Sequence, residues 1–135
     1  MKERVLFLCT HNSSRSQMAE GLLRNLYGDR YEVFSAGTES AGVNPNSIEV
    51  MKEVGIDISN HYSKNVKDFL DKDFDYVITV CGGAKEICPF FPGGKRQLHK
   101  DFEDPSFFSG DKKEVLAKFR KIRDELKEWI EEFFN

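Results

Sequence analysis

Cysteine is scarce in this chain, three among 135 residues, and the number is odd. A secreted scaffold stapled by disulfides uses more cysteines and uses them in pairs, so that class is excluded. The three thiols are left for chemistry, metal binding or burial in a reducing compartment. No hydrophobic run approaches the roughly 20 residues that a bilayer span needs. The opening Met1-Lys2-Glu3-Arg4 leads into a short apolar stretch, Val5 to Cys9. That is too short for a signal peptide. Charge of one sign is missing too. Twenty Lys and Arg face 23 Asp and Glu, for a net charge of -3. No basic field marks a nucleic-acid binder. Repeats, low-complexity tracts and long linkers are also absent. These absences read as a cytoplasmic protein with no membrane or nucleic-acid partner, a single domain over 1–135, and a monomer.

What is present is bulk for a core: 12 Phe, 4 Tyr and 1 Trp, within a hydrophobic share of 39%. Disorder is excluded on that count. Val5-Leu6-Phe7-Leu8-Cys9 is a continuous apolar run, the pattern of a strand buried on both faces. A helical period follows through Met18, Leu22, Leu23 and Leu26 and stops at Gly28. Residues 31–36 read as a second strand ended by Gly37. Asn44-Pro45-Asn46 opens a second helix with Ile48, Met51 and Val54, and Val50 as a further candidate, on its inner face and Gly55 at its close. Ser63 is placed to cap a short helix through Val66, Phe69 and Leu70. Residues 75–81 form the strongest strand, β-branched and bounded by Gly82-Gly83, and 95–99 form a weaker fourth. The last helix steps by three or four through Val115, Phe119, Ile122, Leu126, Trp129 or Ile130, and Phe133. This alternation predicts an α/β fold with a parallel sheet and helices on both faces. Ligands bind such sheets at the carboxyl ends of the strands. Cys9 ends the first strand and Cys81 the third, so the two thiols share an edge if those strands are neighbours.

Cys9-Thr10-His11-Asn12-Ser13-Ser14-Arg15-Ser16 lies between a strand and a helix. So short a loop, turning back into a helix, aims several backbone N–H groups at one point. The helix N-terminus adds partial positive charge there. Arg15 offers a planar fork of donors for a tetrahedral oxyanion. Amides and Arg15 together favour a thiolate at Cys9. Ser16 is positioned to donate to that thiolate, and Asn12 to tie the loop together or to adopt a left-handed backbone. Thr10, His11, Asn12, Ser13, Ser14, Arg15 and Ser16 are thus candidate oxyanion ligands around a nucleophile. Asp104-Pro105 supplies a carboxylic acid beside a rigid residue, the group needed to protonate a leaving oxygen. Asp101 and Glu103 stand close enough in sequence to be alternatives. Cys81 and Cys88 form a C-x6-C pair, and no standard zinc spacing joins them to His61 or His99. A buried strand-end role for Cys81 and a plain loop role for Cys88 stay open at this point.

The C-x5-R-[ST] segment at residues 9–16, in the first strand-to-helix turn, resembles the phosphate-binding loop of low-molecular-weight protein tyrosine phosphatases. Asp104-Pro105 resembles their acid loop. The resemblance implies a three-layer α/β sandwich around a four-stranded parallel sheet. Cys81, Cys88 and residues 16–21, 35–37, 42–45, 56–61, 88–89 and 104–105 extend the likeness over nearly the whole chain. They make it similar to the thioredoxin-coupled arsenate reductases, which share that fold. That resemblance implies that Cys9 attacks arsenate, Asp104 protonates the leaving oxygen, and a Cys9–Cys81 disulfide forms as arsenite departs. The disulfide then passes to Cys81–Cys88, where reduced thioredoxin removes it, with no bound cofactor and no metal. A helical Cys81-to-Cys88 spacing spans roughly 10 Å, against about 5.5 Å between the α-carbons of a disulfide. The glycine-rich segment is therefore expected to take a second conformation when oxidised. Family members also hold potassium behind the loop through residues matching Asn12, Glu20 and Ser35. Here Lys64 stands in place of a carboxylate, and its ammonium is expected to replace the ion. The loop departs from the family in His11, where Gly is usual, and Ser14, where Cys is usual. Two other functions fit the residues. One is a phosphatase using Cys9, Arg15 and Asp104 alone, with Phe107 and Phe108 walling the pocket. The other is a non-catalytic redox sensor that binds an oxyanion or a metal.

Overall fold

The computed structural model describes residues 2–39, 41–81 and 91–134. The elements run β1 (Glu3–Cys9), α1 (Arg15–Tyr27), β2 (Tyr31–Gly37), α2 (Pro45–Lys52), β3 (Phe74–Thr79), β4 (Gly94–His99) and α3 (Lys112–Phe133). Short 3₁₀ turns lie at Val66–Phe69 and Pro105–Phe107. The four strands are all parallel, in the order β2-β1-β3-β4. β1 is therefore central. Val5, Leu6, Phe7 and Leu8 are fully buried, as an uninterrupted apolar run requires of a strand covered on both faces.

Alternation along β1 divides the core in two. Val5, Phe7 and Cys9 pack with Met18 and Leu22 of α1 and with Phe119, Ile122 and Leu126 of α3. Leu6 and Leu8 point the other way, onto Val66, Phe69, Phe74, Val77 and Phe91. α1 packs against both β2 and α3, and α2 against α3. The fold is thus a three-layer α/β sandwich. Among the described residues the layer on the Leu6 and Leu8 face holds the Val66–Phe69 turn and Phe91. Aromatic edges knit it together: Phe34, Phe69 and Phe91 each meet the Phe74 ring or one another edge-on or tilted.

Several boundaries differ from the sequence expectations. α2 ends at Lys52, so the helical period no longer governs Val54, which is 42% exposed, while Val50 and Met51 are buried. The Val66–Phe69 turn is capped by Asn65, whose side chain accepts from Lys67 N–H, not by Ser63. Its tighter period leaves Leu70 exposed. On α3 Ile130 takes the inward place, with Trp129 partly buried against the same core, and past the helix Phe134 is buried in place of Phe133. β3 ends at Thr79, two residues short of Cys81. Val80 N–H still donates to Leu8 O at 2.8 Å, so the chain continues beside β1 and Cys81 follows at the carboxyl edge. Cys88, Gly82-Gly83 and Cys88-Pro89 lie outside the described residues. Among the described residues no helix is long and apolar enough to cross a membrane.

Candidate active site

The turn from β1 into α1 is held by its own carbonyls. Thr10 O accepts Glu39 N–H at 3.0 Å, His11 O accepts Ala41 N–H at 3.3 Å, and Ser13 O accepts Asn44 N–H at 3.0 Å. Asn12 O accepts Ser63 Oγ at 2.7 Å and Gln17 Nε2 at 3.2 Å. Four consecutive carbonyls are thus turned outward onto donors. A trans peptide sets the next N–H opposite its C=O, so the amides of His11, Ser13 and Ser14, all cavity-lining residues, are turned the other way. That is the side of a cavity of about 200 Å³ lined by Cys9, His11, Ser13, Ser14, Arg15, Ala41, Asp104 and Ser106. Gly37, opposite Cys9 in the β1–β2 register, allows this closeness. A Cβ there would lie 2.7 Å from both Cys9 O and Thr10 O.

Asn12 pins the loop from behind. Its φ of 49° is left-handed, a conformation Asn tolerates. Its Oδ1 accepts Lys64 N–H at 2.8 Å, which settles the amide orientation. Its Nδ2 therefore donates to Ser16 Oγ at 2.8 Å. Ser16 Oγ lies 2.8 Å from Cys9 Sγ, and its O–H can turn to the sulfur when that sulfur is a thiolate. A chain from Lys64 N–H through Asn12 to Ser16 thus ends beside the nucleophile.

Arg15 is 2% exposed. Its Nη1 donates to Phe102 O at 3.0 Å, and its Nη2 lies 3.2 Å from Asp104 Oδ2. Asp104 is itself oriented: Oδ1 accepts both Ser106 N–H, at 2.9 Å, and Ser106 Oγ, at 2.7 Å. Oδ2 is thereby left to face Arg15 and the cavity. The two other acids are elsewhere. Asp101 pairs with His99 at the surface, and Glu103 with Lys118 at 2.7 Å. Phe107 is 71% and Phe108 39% exposed, and neither lines the cavity. Nor do Thr10, Asn12 and Ser16; Asn12 and Ser16 are fully buried and serve the loop from its reverse side. Ala41 and Ser106 do line it and carry no signal in the sequence.

Cys81 is fully buried and belongs to the same packed cluster as Cys9, on the α1/α3 face of the sheet. Both are thiols. β3 lies next to β1, so both cysteines stand at the carboxyl edge of neighbouring strands.

A second polar cluster lies behind the loop around Glu20, 5% exposed. Glu20 Oε1 accepts Ser35 Oγ and lies 3.6 Å from Lys64 Nζ. Oε2 accepts Arg24 Nη2 at 2.7 Å. Burial pushes the Lys64 ammonium's pKa down, and the Glu20 charge pulls against it. With an ammonium and a guanidinium already on this carboxylate, the residues do not fit a further metal cation. Nor, among the described residues, is any group of three His, Cys, Asp or Glu placed to hold a metal. His61 joins this cluster to the loop. Gln17 Nε2 donates to Asn12 Oδ1 at 2.9 Å and to Tyr62 O at 3.0 Å, so Gln17 Oε1 accepts from His61 Nδ1 at 2.9 Å. Arg24 Nη1, always a donor, meets His61 Nε2 at 3.2 Å. His61 is therefore neutral with its proton on Nδ1. Burial agrees, holding its pKa below the usual histidine range against the pull of Glu20.

A buried thiol among inward amides, a guanidinium and an oriented carboxyl can bind a tetrahedral oxyanion and attack its centre. Comparisons with known proteins agree with that chemistry. Over 132 residues the chain is 46% identical to the arsenate reductase of Halalkalibacterium halodurans, covering 98% of this chain and 95% of that protein. Its fold superposes on the solved structure of an arsenate reductase in the phosphate binding state with a TM-score of 0.82 at 38% identity, covering 96% of this chain and 95% of that one. It also matches the Corynebacterium glutamicum thioredoxin-dependent arsenate reductase, with a TM-score of 0.63 at 34% identity, over 96% of this chain and 62% of that one. Residues 4–135 match the model of the low molecular weight phosphotyrosine protein phosphatases, and with the loop, the acid and the sheet order all in place, the chain belongs to that family.

Proposed function

We propose that this chain reduces arsenate to arsenite, with Cys9 as nucleophile, Cys81 and Cys88 as relay, and thioredoxin as the final reductant. It is an enzyme of the oxidoreductase type, as its arsenate reductase relatives are. The observation that carries the reading is the second buried thiol, Cys81, in the same cluster and at the same sheet edge as Cys9. Hydrolysis of a phosphate ester has no use for it.

The steps balance in atoms and electrons. The oxyanion sits against the loop amides and Arg15. Cys9 thiolate attacks arsenic, and Asp104 delivers a proton to the oxygen that leaves as water. Cys81 thiolate attacks Cys9 Sγ. The As–S bond breaks with its electron pair staying on arsenic, arsenic falls from the +5 to the +3 state, and two thiols become one disulfide. Cys88 thiolate attacks Cys81 and frees Cys9 as thiolate, and a reduced dithiol of the thioredoxin class then reduces Cys81–Cys88. Behind the loop, the Lys64 ammonium takes the part of a bound monovalent cation, neutralising Glu20 from within the chain.

The test is a steady-state assay with arsenate, thioredoxin, thioredoxin reductase and NADPH, beside an aryl phosphate. Cys88→Ser is expected to stall after one turnover. Sustained thioredoxin-dependent turnover by Cys88→Ser would overturn the relay. A phosphatase is the second reading, favoured by the completeness of Cys9, Arg15 and Asp104 for phosphoryl transfer; in that case aryl phosphate hydrolysis would survive Cys81→Ser and Cys88→Ser unchanged while arsenate turnover stayed at background.

A further inference from the structure

His11 has no part in the steps above, yet it lines the cavity. Its backbone is fixed by the Ala41 N–H bond to its carbonyl, and its side chain is 38% exposed. Its ring Nε2 lies 3.6 Å from Glu39 Oε2, and Glu39 is 75% exposed. That separation is too long for a good hydrogen bond. An ion pair so open to water is weak, so Glu39 is a partner that the imidazole can leave.

The charges around the cavity show what the imidazole is for. Arg15 brings one positive charge, and Asp104, 3.2 Å away, adds none to it. Cys9 as thiolate adds a negative charge, and a tetrahedral dianion adds two more. Among the described residues that line the cavity, His11 is the one other side chain able to carry positive charge.

We infer that the His11 side chain is a further oxyanion-binding group: its imidazolium leaves Glu39 for the bound dianion and acts beside Arg15 as a second cation. This inference rests on the oxyanion reading of the Cys9 loop. An imidazole is a cation only when protonated, so oxyanion affinity is expected to weaken as pH rises. The other charged or titratable groups facing it are Cys9 and Arg15 on its own loop, Glu39 on the segment after β2, and Asp104 on the segment after β4. Glu39 competes with the oxyanion for the imidazolium.

Sulfate is the probe, because it stays a dianion throughout the range and is not reduced. Binding is measured by calorimetry at constant ionic strength in a Cys9→Ala background, which removes the thiol's own titration. Affinity is expected to fall about five- to tenfold as pH rises from about 5.5 to about 8.5. Adding His11→Gln is expected to flatten the profile at the weak level, and His11→Lys to flatten it at the tight level. Glu39→Gln is expected to tighten binding at the acid end. The inference is overturned if His11→Gln keeps the parent's slope, or if His11→Lys binds no more tightly than His11→Gln. If neither the parent nor the unmodified protein binds sulfate or phosphate at any pH, the oxyanion reading of the loop falls, and this inference with it.

Discussion

Gly37→Ala is the sharpest test of how the anion loop is held. A Cβ at residue 37 would lie 2.7 Å from Cys9 O, 2.7 Å from Thr10 O and 2.8 Å from Asn12 N. All three are backbone atoms, so no side-chain rotation relieves the overlap. Gly37 cannot retreat either, because it pairs with Cys9 in the sheet register and its N–H donates to Lys64 O at 2.9 Å. Ordinary contact begins near 3.4 Å, so the loop backbone must shift by about 0.7 Å, more than the roughly 0.5 Å a preorganised site tolerates. Overpacking of this kind costs about 1–3 kcal/mol, a drop in melting temperature of about 3–10 °C for a domain this size. Phosphate affinity is expected to fall at least about tenfold, or about 1.4 kcal/mol, because the displaced atoms carry the inward amides. Gly55→Ala is the control. Its φ of +79° strains any L residue, but nothing lies within 4 Å of the added carbon, and it sits beyond α2, away from the cavity. It is expected to lower stability by about 1–2 kcal/mol without changing phosphate affinity. Circular dichroism melts and calorimetric titration with phosphate measure both quantities. Gly37→Ala binding phosphate as tightly as the parent, or Gly55→Ala losing as much affinity as Gly37→Ala, would refute the reasoning.

Asp104→Asn keeps the side chain's shape and removes the transferable proton. Single-turnover rates are expected to fall about 10²–10⁴-fold while phosphate binding holds or tightens, and a rate within threefold of the parent would remove Asp104 from the acid role. His61 is held neutral by burial, with its pKa below the usual histidine range. The unfolded chain therefore takes up a proton at a pH where the folded chain does not, and stability falls as pH drops below about 6.5. Urea midpoints at acid and neutral pH should show a smaller difference in His61→Gln than in the parent; equal differences would exclude His61 as the source. If the Lys64 ammonium stands in for a monovalent cation, melting temperatures in KCl and NaCl at equal ionic strength should coincide for the parent, and Lys64→Asp should acquire a potassium-specific rise. A potassium-specific rise in the parent would end that proposal.

Much of this protein was legible in its sequence because local covalent order carries the information. The run from Val5 to Cys9 can be buried only by layers on both sides, so its burial between two layers follows from the apolar run alone. Cys9 and Arg15 are joined by one tight turn, so their convergence on one cavity follows from spacing. Asp104 stood out from Asp101 and Glu103 only by its proline; what set it apart in space was the Ser106 clamp on Oδ1 and the reach of Arg15. The period fails where a helix ends, at Val54 and at Phe133, whose neighbour Phe134 is buried instead, and it leaves the choice open where two apolar neighbours compete, as at Trp129 and Ile130. Period alone does not decide which of two adjacent residues meets the sheet.

What tertiary structure alone decided was the support of the loop. Gln17, Ser63, the Lys64 amide and residues 39, 41 and 44 grip it from segments up to 52 positions away in sequence. Residues 39, 41, 44 and 64 act through backbone amides, which every residue type possesses, so side-chain identity leaves no trace of their role; Gln17 and Ser63 act through Nε2 and Oγ, but only the fold brings those atoms to Asn12. The pairing of Cys9 with Cys81 at one edge likewise needed β3 to lie beside β1. Strand order is chosen by how whole faces of the sheet are covered, a choice that no single stretch of chain contains.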